Sequence, residues 1–252
     1  AGQPYGAYIR QQILQPLGMQ HTTVEMVPPA GLTPAIATGY TYVVNNGEGR
    51  FVATEPPLFE VGPAGAIAAT ADDMAQFMLA HLGTASNGAR LLEPTTLATM
   101  HATAYQADPS LSGMALGFFE LSRHGEQIVG HVGAAMPSFH SLLALLPARK
   151  AGFFVSFNSA GALPLTTGAS AILLRDFVDR FIPEPPAQPL QAPGDFDARA
   201  AAYAGAYRFA NNPSSSVTTL EKSAELLGGA VTLAAPGDGT LHLRDAWGEK
   251  RF

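Results

Sequence analysis

The sequence contains no cysteine among its 252 residues. A disulfide framework, a thiolate nucleophile and a cysteine-based zinc site are therefore excluded. Lysine is also scarce: Lys150, Lys222 and Lys250 are the three present, and none lies in a basic run. The net charge is −6. Because nucleic-acid phosphates are bound by clustered lysine and arginine, we expect no nucleic-acid partner.

Long apolar runs are missing as well. None approaches the roughly 18 to 20 residues that cross a membrane, so we expect no membrane span. The sequence begins with alanine instead of an initiator methionine, and no charged and apolar leader follows. We interpret the chain as a processed form or a fragment. Its hydrophobic content of 47% is enough for one large core or two smaller ones.

Apolar residues recur at helical spacing in three places within the first hundred residues. The first predicted helix spans residues 4–14 and is ended by Pro-Leu-Gly at 16–18. The second runs from Thr70 to Gly83, and the third begins at Pro94. Thr70 is the expected N-cap, and Asp72 and Asp73 lie in the first turn, where acids meet the helix dipole. Residues 27–63 are predicted to form a long, mostly irregular segment.

Strand patterns begin at Met114. Apolar or alternating runs, separated by glycine, proline and charge, occur at 117–121, 127–132, 141–146 and 152–157. An amphipathic helix with Leu173 and Phe181 then ends at Pro183. This order predicts an α+β fold with a mainly antiparallel sheet flanked by helices.

A proline-rich stretch divides the chain. Residues 183–193 hold five prolines, which is typical of a stiff linker. We therefore expect a first domain over residues 1–182 and a second, β-rich and incomplete domain over 194–252.

Seven histidines are present. His81 and His101 fall in predicted helices, and His21, His124 and His242 in turns or on an exposed strand face, so all five are interpreted as ordinary surface or interface residues. No histidine pair has the spacing of a zinc protease, and we expect no metal site. His131 differs, because it ends a strand and lies beside glycines that allow close approach of a ligand to the backbone. The Ser-x-Asn of residues 156–158 is interpreted as structural.

Several short segments, taken in order, resemble the class C β-lactamases and related penicillin-binding esterases of the serine β-lactamase-related family. They are residues 12–22 (QILQPLGMQHT), 37–40 (ATGY), 64–74 (AGAIAATADDM), 130–133 (GHVG), 143–147 (LALLP) and 157–159 (FNS). The likeness covers roughly residues 4–182. Residues 203–208 (YAGAYR) resemble the start of the lipocalin-like β-domain that often follows such enzymes.

The resemblance implies a β-lactamase/transpeptidase-like fold without its N-terminal part. It also implies a bacterial, periplasmic or secreted serine hydrolase that needs no cofactor and forms an acyl-enzyme with a small-molecule or peptide substrate. Ala134 would donate its backbone N–H to the oxyanion hole, and His131, in place of the usual lysine, would assist proton transfer or bind a polar group. Gly133 and Val132 would contact substrate. Without the common threonine hydroxyl at Val132, an ester or peptide is favoured over penicillin.

Two motifs of that family, Ser-x-x-Lys and Tyr-x-Asn, are absent from the 252 residues. We expect both in a segment of the same protein upstream of residue 1, and we expect the chain alone to be inactive. The alternative is a non-catalytic binding or scaffold protein that keeps the fold. For His131, the alternative is a histidine packed at the end of its strand.

Overall fold

The computed structural model describes residues 2–55, 62–85, 88–106, 112–135, 138–159, 169–184, 194–207, 231–237, 240–245 and 248–251. The chain forms two compact units, Ala1–Pro185 and Pro186–Phe252. Most of the predicted linker, residues 185–193, lies outside the described residues. In the part that is described, no helix combines the length and apolar character needed to cross a bilayer.

The helices of the first unit follow the predicted pattern. They are α1 (Tyr5–Ile9), a π-helical turn (Arg10–Leu14), α2 (Gln15–Leu17), α3 (Gly62–Gly65), α4 (Ala71–His81), α5 (Pro94–His101) and α6 (Ala169–Phe181), with 3-10 turns at Thr33–Ala35 and Pro147–Arg149. The predicted cap of α4 is confirmed, because the Thr70 hydroxyl accepts the Asp73 N–H at 3.2 Å. Gly83, in a left-handed conformation (φ 69°), follows the end of this helix as predicted.

The predicted end of the first helix at Pro16-Leu17-Gly18 is confirmed, although the helix extends past the predicted residue 14. The helical backbone continues through Leu17 and ends at Gly18, whose φ of 70° is left-handed. A proline inside a helix has no N–H to donate and its ring crowds a preceding carbonyl. The π-helical turn before it, in which Gln15 N–H bonds the Arg10 carbonyl, widens the helix at this point and accommodates the ring.

The strands of the first unit form two sheets. They are β1 (Gly39–Asn45) and β2 (Glu48–Thr54) in a two-stranded hairpin, and β3 (Phe119–Glu120), β4 (Val129–Ala135), β5 (Phe139–Leu146) and β6 (Ala151–Phe157) in an antiparallel sheet of order β3-β4-β5-β6. The predicted α+β fold with an antiparallel sheet is therefore confirmed. The hairpin corrects the prediction that residues 27–63 are mostly irregular. Asn46 and Gly47 both have positive φ, as the tight turn of a two-residue hairpin requires.

Helices cover both faces of the four-stranded sheet. On one face Val129, Leu143 and Leu145 pack against Met78 of α4. On the other face Ile128, Leu142, Ala144 and Leu146 pack against α6 through Leu174 and Val178. A third apolar cluster joins the helical segment of residues 5–17 to α4, around Leu14, Leu17 and Ala80. Burial of such side chains stabilises the fold by about 1.5–3 kcal/mol each.

A buried carboxylate ties the start of α4 to the preceding segment. Asp73 is 5% exposed, and its Oδ2 accepts the His21 N–H at 2.8 Å and the Thr22 hydroxyl at 2.7 Å. Next to it, Thr23 and Ala68 exchange two backbone hydrogen bonds of 2.9 Å. Asp73 therefore does more than meet the helix dipole, since it also joins two segments distant in sequence.

The second unit contains α7 (Phe196–Tyr203) and four strands, β7 (Gly205–Tyr207), β8 (Val231–Ala234), β9 (His242–Asp245) and β10 (Gly248–Arg251). They form an antiparallel sheet of order β10-β9-β8-β7. Within this sheet β8 pairs with β9 in antiparallel orientation. The relation of this unit to lipocalin-like domains stays a prediction.

Candidate active site

The strand β4 is paired on both sides only over its first residues. Val129 and Gly130 pair with β3, while the whole strand pairs with β5. Gly130 is required at this crowded point, because an added Cβ would lie 2.4 Å from the Leu143 carbonyl oxygen. From His131 onward, the edge of β4 that faces away from β5 has no strand beside it among the described residues.

Backbone N–H and C=O groups point alternately to the two edges of a strand, and this alternation determines which of them lie on the open edge of β4. The Ile128 carbonyl accepts the Leu121 N–H at 2.7 Å, so residue 128 directs its backbone groups toward β3. Alternate residues of a strand direct theirs to the same edge. The Val132 carbonyl and the Ala134 N–H and carbonyl therefore point to the open edge, whereas residues 131, 133 and 135 bond β5.

The residues along this edge are exposed, and two of the four are small. His131, Val132, Gly133 and Ala134 are all exposed. A Cβ added at Gly133 would contact only the Ser141 Cβ, at 3.9 Å, so the space in front of it is open. Among the described residues, the open edge thus offers a backbone donor with room for a ligand.

His131 lies where β3 ends and the open edge begins. Its Nδ1 is 2.6 Å from the Val132 carbonyl oxygen. Its ring lies 5.1 Å from the Phe119 ring, centroid to centroid, with 34° between the planes. His131 is therefore an exposed side chain with two defined contacts. Phe119 was not singled out from the sequence, and no local pattern identifies it because the contact depends on pairing across strands.

The hairpin β1–β2 starts from the same end of the sheet. The buried Ser138, in the turn after β4, shares a 2.6 Å hydrogen bond with the Thr54 hydroxyl. Tyr40 donates its N–H to the Asn158 carbonyl at 2.8 Å. Gly39 must be glycine, because a Cβ there would lie 2.6 Å from the Ser138 side chain. The residue pattern 156–158 thus serves the packing of the hairpin, as expected.

Two hydroxyls extend the polar surface beside Gly133. Ser141 is the cross-strand partner of Gly133, and Ser156 is the partner of Ser141 on β6. The two hydroxyl oxygens are 2.8 Å apart. Alternation of side chains places this row on the same face of the sheet as His131.

His140 was not considered from the sequence. It is the cross-strand partner of Ala134. Burial lowers its pKa, and its Nε2 is enclosed without a hydrogen-bond partner among the described residues. Since the signal for this histidine is again a cross-strand pairing, sequence alone could not have found it.

The interpretation of His81 and His101 as surface residues is wrong. Both are 6% exposed, and the His81 Nδ1 lies 3.2 Å from the His101 Nε2. Burial, followed by the charge of His101, lowers the pKa of His81 to about 4, and burial lowers that of His101. Phe77 and Phe118 surround the pair.

The histidine in the turn between β3 and β4 is also largely buried. The His124 side chain is 7% exposed, with Nε2 3.3 Å from an Asp179 oxygen and Nδ1 3.0 Å from the Ile182 carbonyl. Arg123 adds a bidentate ion pair to Asp179 at 2.5 and 2.9 Å. His124 therefore fastens this turn to α6.

Comparison with known proteins identifies the family to which this chain belongs. A family model, described as "Beta-lactamase", matches residues 1–175. The chain belongs to the beta-lactamase family. The resemblance stated from the sequence motifs is thereby confirmed, and the match includes the segment from His131 to Ala134. None of the curated proteins compared matches the chain.

Solved structures of this fold resemble the chain over part of their length. An octameric penicillin-binding protein homologue from Pyrococcus abyssi is 19% identical, with a TM-score of 0.54, over 99% of this chain and 50% of that one. The LovD6 mutant of simvastatin synthase from Aspergillus terreus is 14% identical, with a TM-score of 0.52, over 70% and 49%. A class C beta-lactamase in complex with cefoxitin is 18% identical, with a TM-score of 0.48, over 63% and 49%. The chain spans about half the length of these structures.

The four residues proposed from the sequence thus lie together on one strand edge. Their roles in catalysis and substrate binding stay predictions. Among the described residues, no cluster of three or more histidine, aspartate or glutamate side chains could hold a metal ion.

Proposed function

We propose that this chain supplies one side of an acyl-transfer site, on which a serine from outside residues 1–252 attacks an ester, amide or peptide. The observation that carries the proposal is the Ala134 N–H, which points to the open edge of β4 in front of the unfilled space at Gly133. Membership of the beta-lactamase family supports this reaction type.

In this mechanism the substrate lies along the open edge of β4. Its carbonyl oxygen accepts the Ala134 N–H as negative charge develops, and the N–H of the attacking serine is the second donor. The Val132 carbonyl oxygen, which lies 2.6 Å from the His131 Nδ1, has a second lone pair for a substrate N–H. Gly133 allows the substrate to approach the strand. The serine forms a covalent acyl-enzyme by expelling the alcohol or amine, and water then releases the acid.

The nucleophile and its base are proposed to come from chain outside residues 1–252. The sequence has no Ser-x-x-Lys and no Tyr-x-Asn motif. That absence equally favours the second candidate, a binding or scaffold protein that keeps the fold without catalysis.

The test is labelling by an active-site serine probe, such as a fluorophosphonate. We expect the gene product that contains this chain to be labelled at a serine outside residues 1–252 and to hydrolyse a chromogenic ester. The 252-residue chain alone should show neither labelling nor turnover above buffer. A labelled serine within residues 1–252 would refute the proposal, and a complete lack of labelling in the gene product would favour the scaffold.

A further inference from the structure

The contacts of His131 determine which of its ring nitrogens carries a proton. A backbone carbonyl oxygen only accepts hydrogen bonds, so the 2.6 Å contact to the Val132 carbonyl requires a proton on Nδ1. In a neutral imidazole the other nitrogen, Nε2, then carries the lone pair. Among the described residues Nε2 has no hydrogen-bond partner, and the side chain is exposed.

Phe119 keeps the ring in this orientation. It is the first residue of β3, cross-strand from Gly130, and its half-buried ring borders the open edge. The 5.1 Å contact between the two rings restricts rotation of the imidazole away from the Val132 carbonyl. The Val132 carbonyl thus fixes the tautomer of His131, and Phe119 fixes the plane of its ring.

On the four-stranded sheet itself, Nε2 is a hydrogen-bond acceptor with no cationic side chain beside it. The strands β3, β4, β5 and β6 contain no lysine and no arginine. A lone pair attracts an O–H or N–H donor and repels a carboxylate. Val132 has no hydroxyl that could bind a carboxylate instead.

We propose that Phe119 and the Val132 carbonyl hold His131 as the Nδ1–H tautomer, and that its Nε2 selects acyl substrates with a hydroxyl or N–H donor, and not a carboxylate, beside the scissile bond. The substrate preference rests on the proposed function, whereas the tautomer rests on the geometry of this strand alone. Phe119 is in this sense a positioning residue.

The tautomer is tested by long-range proton–nitrogen correlation spectra of the gene product containing this chain, with labelled histidine, at pH 8. His131→Gln identifies the signals. We expect the Nδ1–H pattern for His131, a shift toward Nε2–H in Phe119→Leu, and recovery in Phe119→Tyr. Phe153→Leu is the matched control, because it removes a ring paired with Phe177 at 5.4 Å in the apolar cluster packed on α6.

The preference is tested with two esters that differ only in an amine or a carboxylate beside the scissile bond. We expect kcat/KM at least tenfold higher for the amine, and His131→Lys to reduce or reverse that ratio. A dominant Nε2–H form in the unmodified protein, or an unchanged tautomer in Phe119→Leu, would overturn the positioning argument. Equal turnover of both esters would overturn the preference, while a lack of any turnover would count against the proposed function and leave the tautomer result intact.

Discussion

Two valines three residues apart show how different the two halves of β4 are. Val129 is 1% exposed, with strands on both sides and α4 against its face, whereas Val132 is 52% exposed on an edge that has no neighbouring strand among the described residues. The same residue type in the same strand thus contributes to the core at one end and to a candidate ligand surface at the other. The difference comes from the shortness of β3, whose first residue, Phe119, pairs with Gly130 and leaves the rest of β4 without this neighbour.

The largest expected effect concerns the open edge. In a gene product that turns over esters, Ala134→Pro should lower kcat about 100- to 1,000-fold, because it removes one oxyanion donor. The melting temperature should change little, since this N–H lies outside the strand ladder, where proline is tolerated. Ester kinetics and calorimetry measure the two effects.

Gly133→Pro is the matched control for that substitution. Its N–H points to β5, so proline removes a ladder hydrogen bond, which should cost about 1–3 kcal/mol and lower the melting temperature clearly. If both variants lose stability equally, the assignment of the open edge is wrong. If Ala134→Pro keeps full turnover, Ala134 is not an oxyanion donor.

The second prediction concerns the buried histidine pair on α4 and α5. The pKa of His81 is lowered to about 4, so the unfolded chain binds more protons below about pH 6.5. The free energy of unfolding should therefore be fully retained above pH 6.5 and fall by roughly 3 kcal/mol as the pH approaches 4. Urea unfolding at a series of pH values measures this slope.

Two variants separate protonation from packing in that experiment. His81→Gln should reduce the pH dependence, because the more strongly shifted group is gone and only His101 remains. Phe77→Leu removes a ring 4.6 Å from His81 but keeps both imidazoles. It should therefore lower the free energy of unfolding at every pH and leave its dependence on pH unchanged. An unchanged slope in His81→Gln would show that the histidine pair is not the acid-sensitive element.

The smallest effect tests the comparison of the two valines directly. Val129→Ala should destabilise the protein by about 2 kcal/mol, because it leaves a void in the core between the sheet and α4. Val132→Ala should change stability by no more than about 0.5 kcal/mol, as exposed substitutions do. Denaturant titration of both variants is sufficient, and similar losses would mean that the outer half of β4 is covered.

Local patterns were enough to predict most of the elements. The cap at Thr70, the stop at Gly83 and the apolar strand runs each act within a few residues, so helix α4 and the antiparallel sheet were predicted correctly. The hairpin β1–β2 was missed although Asn46-Gly47 is a strong turn signal. The prolines and turn glycines of residues 27–63 favoured an irregular segment instead.

The site was less predictable, because its properties arise between segments. The motif at residues 130–133 indicated where a site would be, but nothing in it shows that the pairing of β4 with β3 reaches only to Gly130. His81 and His101 are 20 residues apart, and their burial depends on how α4 and α5 pack. The same limit explains why Phe119 and His140 were not found.

The contacts of Asp73 with His21 and Thr22, and the Thr23–Ala68 pair beside them, have a consequence for how this protein can diversify. They hold residues 21–23 against Ala68 and Asp73, so the two ends of the intervening chain stay together whatever its length. Doubling the length of a flexible loop costs only about 0.6 kcal/mol in closure entropy. The hairpin tip at Asn46 and Gly47 can therefore be lengthened, shortened or exchanged with little cost to the sheet, while the base of the hairpin stays bound to Ser138 and Asn158.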